Sequence, residues 1–326
     1  MKWNSSYGSW IVLVCVAMFF GCMHDSFEYS TGNYVVVETI KTDTLETLAG
    51  KYLNDTGKAW VISEFNKIKD IKPGQKIIVP LQPFNIGGIG PEGYQLVPVL
   101  NYEKLKPTQE NQVPEPVASF EQQMDYLKKN NFQVISFTWF MEFLNYTCQI
   151  PEKSLVITLD DNTRAVMDIA LPVLEKYGYP ATLFLDPANV GTENGLSVED
   201  LYALKEKGMA IQCRAGWAID ADVESKKITL NQYFEALKKE IPRSKAYIEE
   251  ISGSPCLYYA LPPSGGNNLL NQFLWKSGFK ASLTMDGEAN PFFADHFNIE
   301  RVTISPYDSA GNLATKLSVF RKMELK

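Results

Sequence analysis

Histidine is nearly absent from this chain: its 326 residues include only His24 and His296. A site built from three or four imidazoles is therefore excluded. Cysteine is scarce too, with five in all. Cys15 and Cys22 fall near the N-terminus, which leaves Cys148, Cys213 and Cys256, an odd and widely spaced set. That pattern excludes a disulfide scaffold and permits at most one bridge. We read the three as small buried hydrophobes. An excess of basic charge is missing as well. The net charge of −7 removes the electrostatic basis of nucleic-acid binding, so no nucleic-acid partner is expected. What is present is globular: 45% hydrophobic and 12% aromatic residues, with length for one large domain and a small one.

The N-terminus carries a targeting pattern. Lys2 precedes the apolar stretch Trp10–Phe20, which is short for a membrane span but suits a signal-peptide core. Gly21-Cys22 then resembles the lipobox of bacterial lipoproteins. The resemblance implies a signal peptide over residues 1–21 and a diacylated Cys22 anchoring the chain to a membrane. An uncleaved membrane anchor is the alternative. Both place the remainder in the cell envelope, facing the periplasm or the outside.

Residues 22–33 read as a polar tether, and residues 34–81 as a self-contained βααβ domain. Tyr34-Val-Val-Val37 is a strand, and Thr42 or Asp43 caps a helix through Leu48, Ala49 and Tyr52. A second helix carries Trp60, Ile62, Phe65 and Asn66. Pro73-Gly74-Gln75 turns into the closing strand Lys76–Val79, ended by Pro80. Tyr34, Asp43-Thr44-Leu45, Ala49, Tyr52, Trp60, Asn66 and the Pro73-to-Pro80 segment resemble a LysM domain. The family's Gly before Asp-Thr-Leu is replaced by Thr42, which is expected to reshape that loop. The resemblance implies binding of N-acetylglucosamine polymers in a groove between the first strand–helix loop and the second helix–strand loop, at Asp43, Thr44, Leu45 and Ile71. Asp43 and Thr44 also serve as helix caps. Residues 82–95, rich in Gly and Pro, read as a linker.

Residues 96–326 alternate strand-like and helix-like patterns. Strands are expected at Val97–Tyr102, Phe132–Phe137, Ser154–Leu159, Ala181–Leu185, Met209–Cys213 and Leu257–Leu261. Helices fall near Phe120–Asn130, Phe140–Leu144, Ala165–Tyr177, Val198–Lys207 and Gln232–Ile251. Repeated β-then-α order argues for a parallel α/β domain, barrel-like or doubly wound.

Two adjacent acids, Asp160 and Asp161, end the β-branched run Ser154–Leu159, where α/β enzymes place their chemistry. Thr158-Leu-Asp-Asp-Asn162 resembles the T-F-D-D-G motif of polysaccharide deacetylases (the NodB-homology group, carbohydrate esterase family 4). Phe120–Leu127, Leu171–Leu174 and Tyr179–Phe184 extend the resemblance, which implies a distorted (β/α) barrel. In that family the first Asp is the general base, and the second holds a divalent metal with two histidines. The positions aligned with H-[ST]-x-x-H carry Arg214, Ala215 and Ala218 instead. Leu261-Pro262-Pro263-Ser264-Gly265 keeps the loop of a third motif, with Leu261 at the position that orients the base. Val99-Leu-Asn-Tyr-Glu103 lacks the histidine many relatives carry there. A guanidinium at 214 would repel a divalent cation and can pair with Asp160 or Asp161. A structural role for the two acids, capping the loop and helix that follow, is the competing view. By strand alternation Cys213 faces away from Arg214 and belongs to the core.

The sequence thus describes a cell-envelope lipoprotein that binds peptidoglycan or another N-acetylglucosamine polymer. Its substrate cleft comprises Asp160, Asp161, Arg214, Leu261 and Pro262, and its deacetylase domain is catalytically degenerate, with no cofactor expected. The competing activity is a metal-dependent N-deacetylase, with Asp160 as base and Zn, Co or Ni on Asp161. Support of an envelope protein partner is a third role.

Overall fold

The computed structural model describes residues 28–106, 116–216, 228–263, 265–285 and 287–323. The expected signal peptide, Cys22, His24 and Ala218 lie outside the described residues. Among the described residues no helix is long and apolar enough to cross a membrane. The chain divides after Leu81 into two units.

The first unit runs β1 (Glu28–Ser30), β2 (Tyr34–Glu38), α1 (Leu45–Leu53), α2 (Ala59–Asn66) and β3 (Lys76–Pro80). The strands form an antiparallel sheet in the order β1-β2-β3. Alternation in Tyr34-Val-Val-Val-Glu38 sends Val35 and Val37 inward, where they meet Leu48 and Ala49 of α1, Ile62 of α2, and Ile77 and Val79 of β3. Asn66 locks α2 to β3: its Nδ2 donates to the Ile62 and Ile78 carbonyls, and its Oδ1 accepts the Ile78 N–H. The expected tether is partly strand. Tyr52 and Lys51 both bond the Glu28 carboxylate, giving β1 a reason to stay on the sheet.

The second unit opens earlier than its strand pattern suggested, because residues 82–95 pack on it. Gln149 Oε1 accepts the N–H groups of Phe84 and Asn85. A small antiparallel sheet follows, made by β4 (Ile89–Gly90), β5 (Gly93–Val97) and two late strands introduced below. Gly93 is required where it stands, at φ 150°: a Cβ there would lie 2.0 Å from the Arg321 carbonyl oxygen. Pro98 separates β5 from β6 (Val99–Tyr102) and so splits the single strand expected over 97–102.

The remainder is α3 (Pro116–Lys129), β7 (Gln133–Val134), α4 (Phe137–Leu144), β8 (Ser154–Leu159), α5 (Leu171–Tyr177), β9 (Thr182–Leu185), α6 (Val198–Glu206) and β10 (Ala210–Arg214). Then come α7 (Leu230–Ser252), β11 (Tyr258–Ala260), α8 (Asn268–Lys276), β12 (Ala281–Leu283), β13 (Asn290–Pro291), β14 (Val302–Thr303), α9 (Ala310–Lys316) and β15 (Phe320–Lys322). Two local expectations were too regular. Ser136 caps α4, so the strand beginning at Phe132 ends by Val134 and Phe137 already lies in the helix. The helix expected from Ala165 contains a π-turn, Val166–Ala170, before α5.

The main sheet is parallel, in the order β12-β11-β10-β9-β8-β6-β14, with β7 beside the start of β8. A parallel bridge between Leu283 and Ile299 brings its two ends together, giving the deacetylase-type (β/α) barrel. Strand alternation sorts the residues into two cores. Val99, Val156, Phe184, Ala260, Leu283 and Ile299 pack inside with Phe137 and Phe140 of α4. Leu100, Ile157, Leu183, Ile211 and Tyr259 face the surrounding helices, meeting Met124, Leu174, Leu204, Ile241 and Leu274.

Candidate functional site

The inward-facing positions turn polar at the C-terminal ends of the strands. Asn101 of β6, Thr158 of β8, Asp160, Asp186 after β9, Arg214 of β10 and Arg301 before β14 share the parity of the apolar interior residues below them. Barrel enzymes build their sites at this end.

Asp160 is wholly buried, and so is the guanidinium that holds it. Arg301 Nη1 donates to Asp160 Oδ1 at 2.8 Å, and Nη2 to Oδ2 at 2.9 Å, a bidentate pair. The other Arg301 donors are also engaged. Nε donates to the Thr284 carbonyl at 2.5 Å, Nη1 to Asn101 Oδ1 at 3.2 Å, and Nη2 to Met285 Sδ at 3.3 Å. The Phe184 ring, 5.6 Å from the guanidinium carbon, covers one face. Such satisfaction offsets the cost of taking both charges out of water.

Arg214 does meet Asp160, though not bidentately. Its Nε lies 3.6 Å from Asp160 Oδ2, too far for a hydrogen bond, and its Nη1 donates to the Asp160 carbonyl at 3.3 Å. Its side chain is 23% exposed. The principal partner of Asp160 is thus Arg301, which lay beyond the last strand expected from the pattern. A signal for it existed: a charged residue on the same parity as Ile299 in the run Ile299-Glu-Arg-Val-Thr-Ile304.

Asp161 does different work. Its Oδ2 accepts the Leu105 N–H at 2.8 Å; its Oδ1 accepts the Thr163 N–H at 2.9 Å and the Thr163 hydroxyl at 2.6 Å. This is the loop-capping role weighed against catalysis above, an Asx turn that starts the next helix. Asn162 ties the loop to β9, donating to the carbonyls of Asp160 and Phe184 and accepting the Asp186 N–H. Asp186 accepts from Ala188 N–H at 3.0 Å. Burial pushes its carboxyl above the usual carboxylate range, against that hydrogen bond and the nearby charge of Arg214. Asp186 was missed, although it follows strand Ala181–Leu185 as Asp160 follows Ser154–Leu159.

Leu261 sits at the end of β11 but packs, 1% exposed, in the helix-facing core rather than in the cleft. Pro262 is buried beside it. Its carbonyl accepts the N–H of Gly265, whose φ of 84° closes the turn. Cys213 faces the outer core, as alternation required. His296 bonds Asn145 Oδ1 at 3.3 Å and precedes the bridge residue Ile299, towards the N-terminal end of the barrel, away from Asp160.

These residues do not fit a divalent metal. Both Asp160 oxygens are taken by a guanidinium and both Asp161 oxygens by N–H and O–H donors, while two arginine charges oppose a cation. Among the described residues no group of three His, Cys, Asp or Glu stands ready to hold a metal.

In the first unit, Thr44 caps α1 in a reciprocal pair with Thr47. Asp43 Oδ2 accepts the Ile40 N–H at 2.8 Å. No residue of this loop has positive φ, so Thr42 needs no glycine-like geometry. Leu45 is buried in the unit's core, and Ile71 is half-buried against it. Thr39 draws the two loops together: its N–H donates to the Gln75 carbonyl, its hydroxyl to the Lys72 carbonyl, and its carbonyl accepts the Gly74 N–H.

Comparison with known proteins bears on the second unit. Residues 149–282 match the family described as "Polysaccharide deacetylase". The chain is 24% identical over 210 residues to a putative polysaccharide deacetylase, YxkH, of Bacillus subtilis, covering 64% of this chain and 72% of that protein. It is 24% identical over 195 residues to the poly-beta-1,6-N-acetyl-D-glucosamine N-deacetylase of Staphylococcus epidermidis, covering 57% and 66% respectively. The structure of IcaB from Ammonifex degensii superposes with a TM-score of 0.60 at 23% identity, over 69% of this chain and 98% of that one. That likeness speaks to fold. The family match covers β8 to β12, so residues 149–282 are similar to a polysaccharide deacetylase domain, and the superposition shows that the second unit has the corresponding fold.

Proposed function

We propose that this protein is a cell-envelope glycan-binding protein whose deacetylase domain holds an N-acetylglucosamine polymer without metal-dependent removal of its acetyl groups. The observation that carries this reading is the buried bidentate pair of Arg301 and Asp160, which neutralises the base position from within the protein. The substrate class is suggested by the poly-N-acetylglucosamine deacetylases among the relatives. In this reading residues 34–81 act as a LysM-type module; the βααβ order and the two loops joined through Thr39 support it. Asp43, Thr44 and Ile71 would border its groove, with Leu45 supporting it from beneath. Cys22 would carry the lipid anchor, as the Gly21-Cys22 pattern suggests.

A second reading, an active N-deacetylase with Asp160 as base, is favoured by the relatives' activity and by Asp160 and Asp161 at the barrel mouth. Mass spectrometry separates the two. N-acetylglucosamine oligosaccharides and muropeptides are incubated with the chain, with and without Zn²⁺, Co²⁺ or Ni²⁺. The binding reading predicts intact acetyl groups under every condition, with glycan retained in a pull-down. Acetyl loss that disappears in Asp160→Asn would establish the second reading instead.

A further inference from the structure

Among the described residues four arginines meet a carboxylate, and one of them is poorly matched. Arg164 Nη1 donates to both oxygens of Asp200, at 2.9 and 3.1 Å. Arg301 grips Asp160 bidentately, and Arg321 Nη2 donates to Glu288 at 3.0 Å. Arg214 has no such bond. Its Nε stands 3.6 Å from the Asp160 oxygen that Arg301 Nη2 already holds, and finds no hydrogen-bond partner among the described residues. Its Nη1 reaches only the Asp160 carbonyl, at 3.3 Å. One carboxylate cannot balance two guanidinium charges. Arg214 therefore carries charge and donor capacity that the described residues leave unused.

That surplus stands at the barrel mouth. Arg214 ends β10 with its side chain 23% exposed, whereas the side chains of Asp160 and Arg301 are sealed from solvent. On the β11 side it pairs in register with Ala260, which has no polar side-chain atom, and Leu261 turns away into the helix-facing core. On the β9 side, Cys213 opposite Leu185 sets Arg214 level with Asp186. The Asp186 carboxylate accepts the Ala188 N–H and makes no ion pair with Arg214. The Asp161 oxygens are spent on Leu105 and Thr163. A planar guanidinium with free N–H groups suits a carboxylate better than it suits the hydroxyls of a neutral sugar, because only the carboxylate also supplies the missing charge.

We propose that Arg214 is a carboxylate-binding residue and that the glycan held at the mouth is acidic, carrying a uronic acid or a peptide-free muramic acid. This rests on the glycan-binding reading of the cleft and narrows its substrate class. Arg301 neutralises Asp160 within the protein, and the ligand's carboxylate neutralises Arg214.

The full chain is titrated calorimetrically with three tetrasaccharides: neutral chitotetraose, an alternating N-acetylglucosamine–glucuronic acid tetramer, and a peptide-free N-acetylglucosamine–N-acetylmuramic acid tetramer. At low ionic strength at least one acidic probe should bind about tenfold or more tighter than chitotetraose. Whichever acidic probe binds tighter identifies the source of the carboxylate. The advantage should shrink with added salt, disappear in Arg214→Gln, and survive in part in Arg214→Lys, which keeps the charge without the fork. Equal affinity of the parent chain for all three probes would overturn the proposal and leave the glycan-binding reading standing. So would an acidic preference that persists in Arg214→Gln, whereas binding of none of the probes would overturn both.

Discussion

The two ends of the barrel interior are built on the same strands and the same side-chain parity, yet they obey different physics. In the lower layer, Val99, Val156, Phe184, Ala260, Leu283 and Ile299 fill the space with apolar atoms. Their contribution grows with the area removed from water and needs no particular partner. In the upper layer, Asn101, Thr158, Asp160, Arg214 and Arg301 hold charge and hydrogen-bonding capacity away from solvent. Every atom there must find a specific partner or carry a penalty. Arg301 engages all its nitrogens, whereas Asn101 Nδ2 and Arg214 Nε have no partner among the described residues. The lower layer is explained by stability alone. The upper layer is costly for stability, which is why we assign it to function or to the residue of one.

The most severe way to break this contrast is Arg301→Ala, which leaves Asp160 charged and buried without its main partner. Loss of about 3–5 kcal/mol is expected in urea unfolding. The double variant Asp160→Leu/Arg301→Met should recover most of it, because the pair's desolvation disappears with the pair. If the single variant cost no more than a surface substitution, the upper layer would not be the tight charge lock described above. In the lower layer, Leu283→Ala should cost about 2–5 kcal/mol through lost burial and a cavity, with no polar substitution elsewhere able to rescue it. Arg214→Ala should cost only about 1 kcal/mol or less, since its ion pair is long and its side chain partly exposed. Glycan retention in a pull-down should fall more clearly than stability does.

The smallest effect concerns pH. Burial raises the Asp186 pKa in the folded chain above its ordinary 3.8, so the folded state binds its proton more readily than the unfolded state. Ionised Asp186 therefore subtracts from stability at neutral pH. That penalty is relieved as pH falls through the folded pKa towards 3.8. Asp186→Asn should be slightly more stable than the parent at pH 7, and the gain should vanish near pH 4, measured by thermal unfolding across the range. A gain that grew on acidification would reverse the assigned sign.

Much of this was legible in the sequence because periodicity and turn chemistry are local. The strand at Ser154–Leu159 and the βααβ order of residues 34–81 follow from spacing, whereas α1 is capped by Thr44 and not by the expected Thr42 or Asp43. Asp160 and Asp161 could be found together at a strand tip, but their separation into an arginine-paired carboxylate and a loop cap could not. That division depends on Leu105, Thr163 and Arg301, and Arg301 lies 141 positions from Asp160 in the chain. Leu261 was misjudged for a related reason: sequence alignment gives a loop position, while strand parity decides which core its side chain enters. The strands after Leu261 are only two or three residues long, too brief for a periodic signal.

The account rests most heavily on Arg301 and Arg214 standing where a divalent cation would need free carboxylate oxygens. Calorimetric titration of the folded chain with Zn²⁺, Co²⁺ and Ni²⁺, beside the Asp161→Asn variant, tests this directly. We expect no stoichiometric binding that depends on Asp161. One equivalent bound by the parent chain and lost in Asp161→Asn would contradict the account and return the domain to the metal-dependent deacetylases.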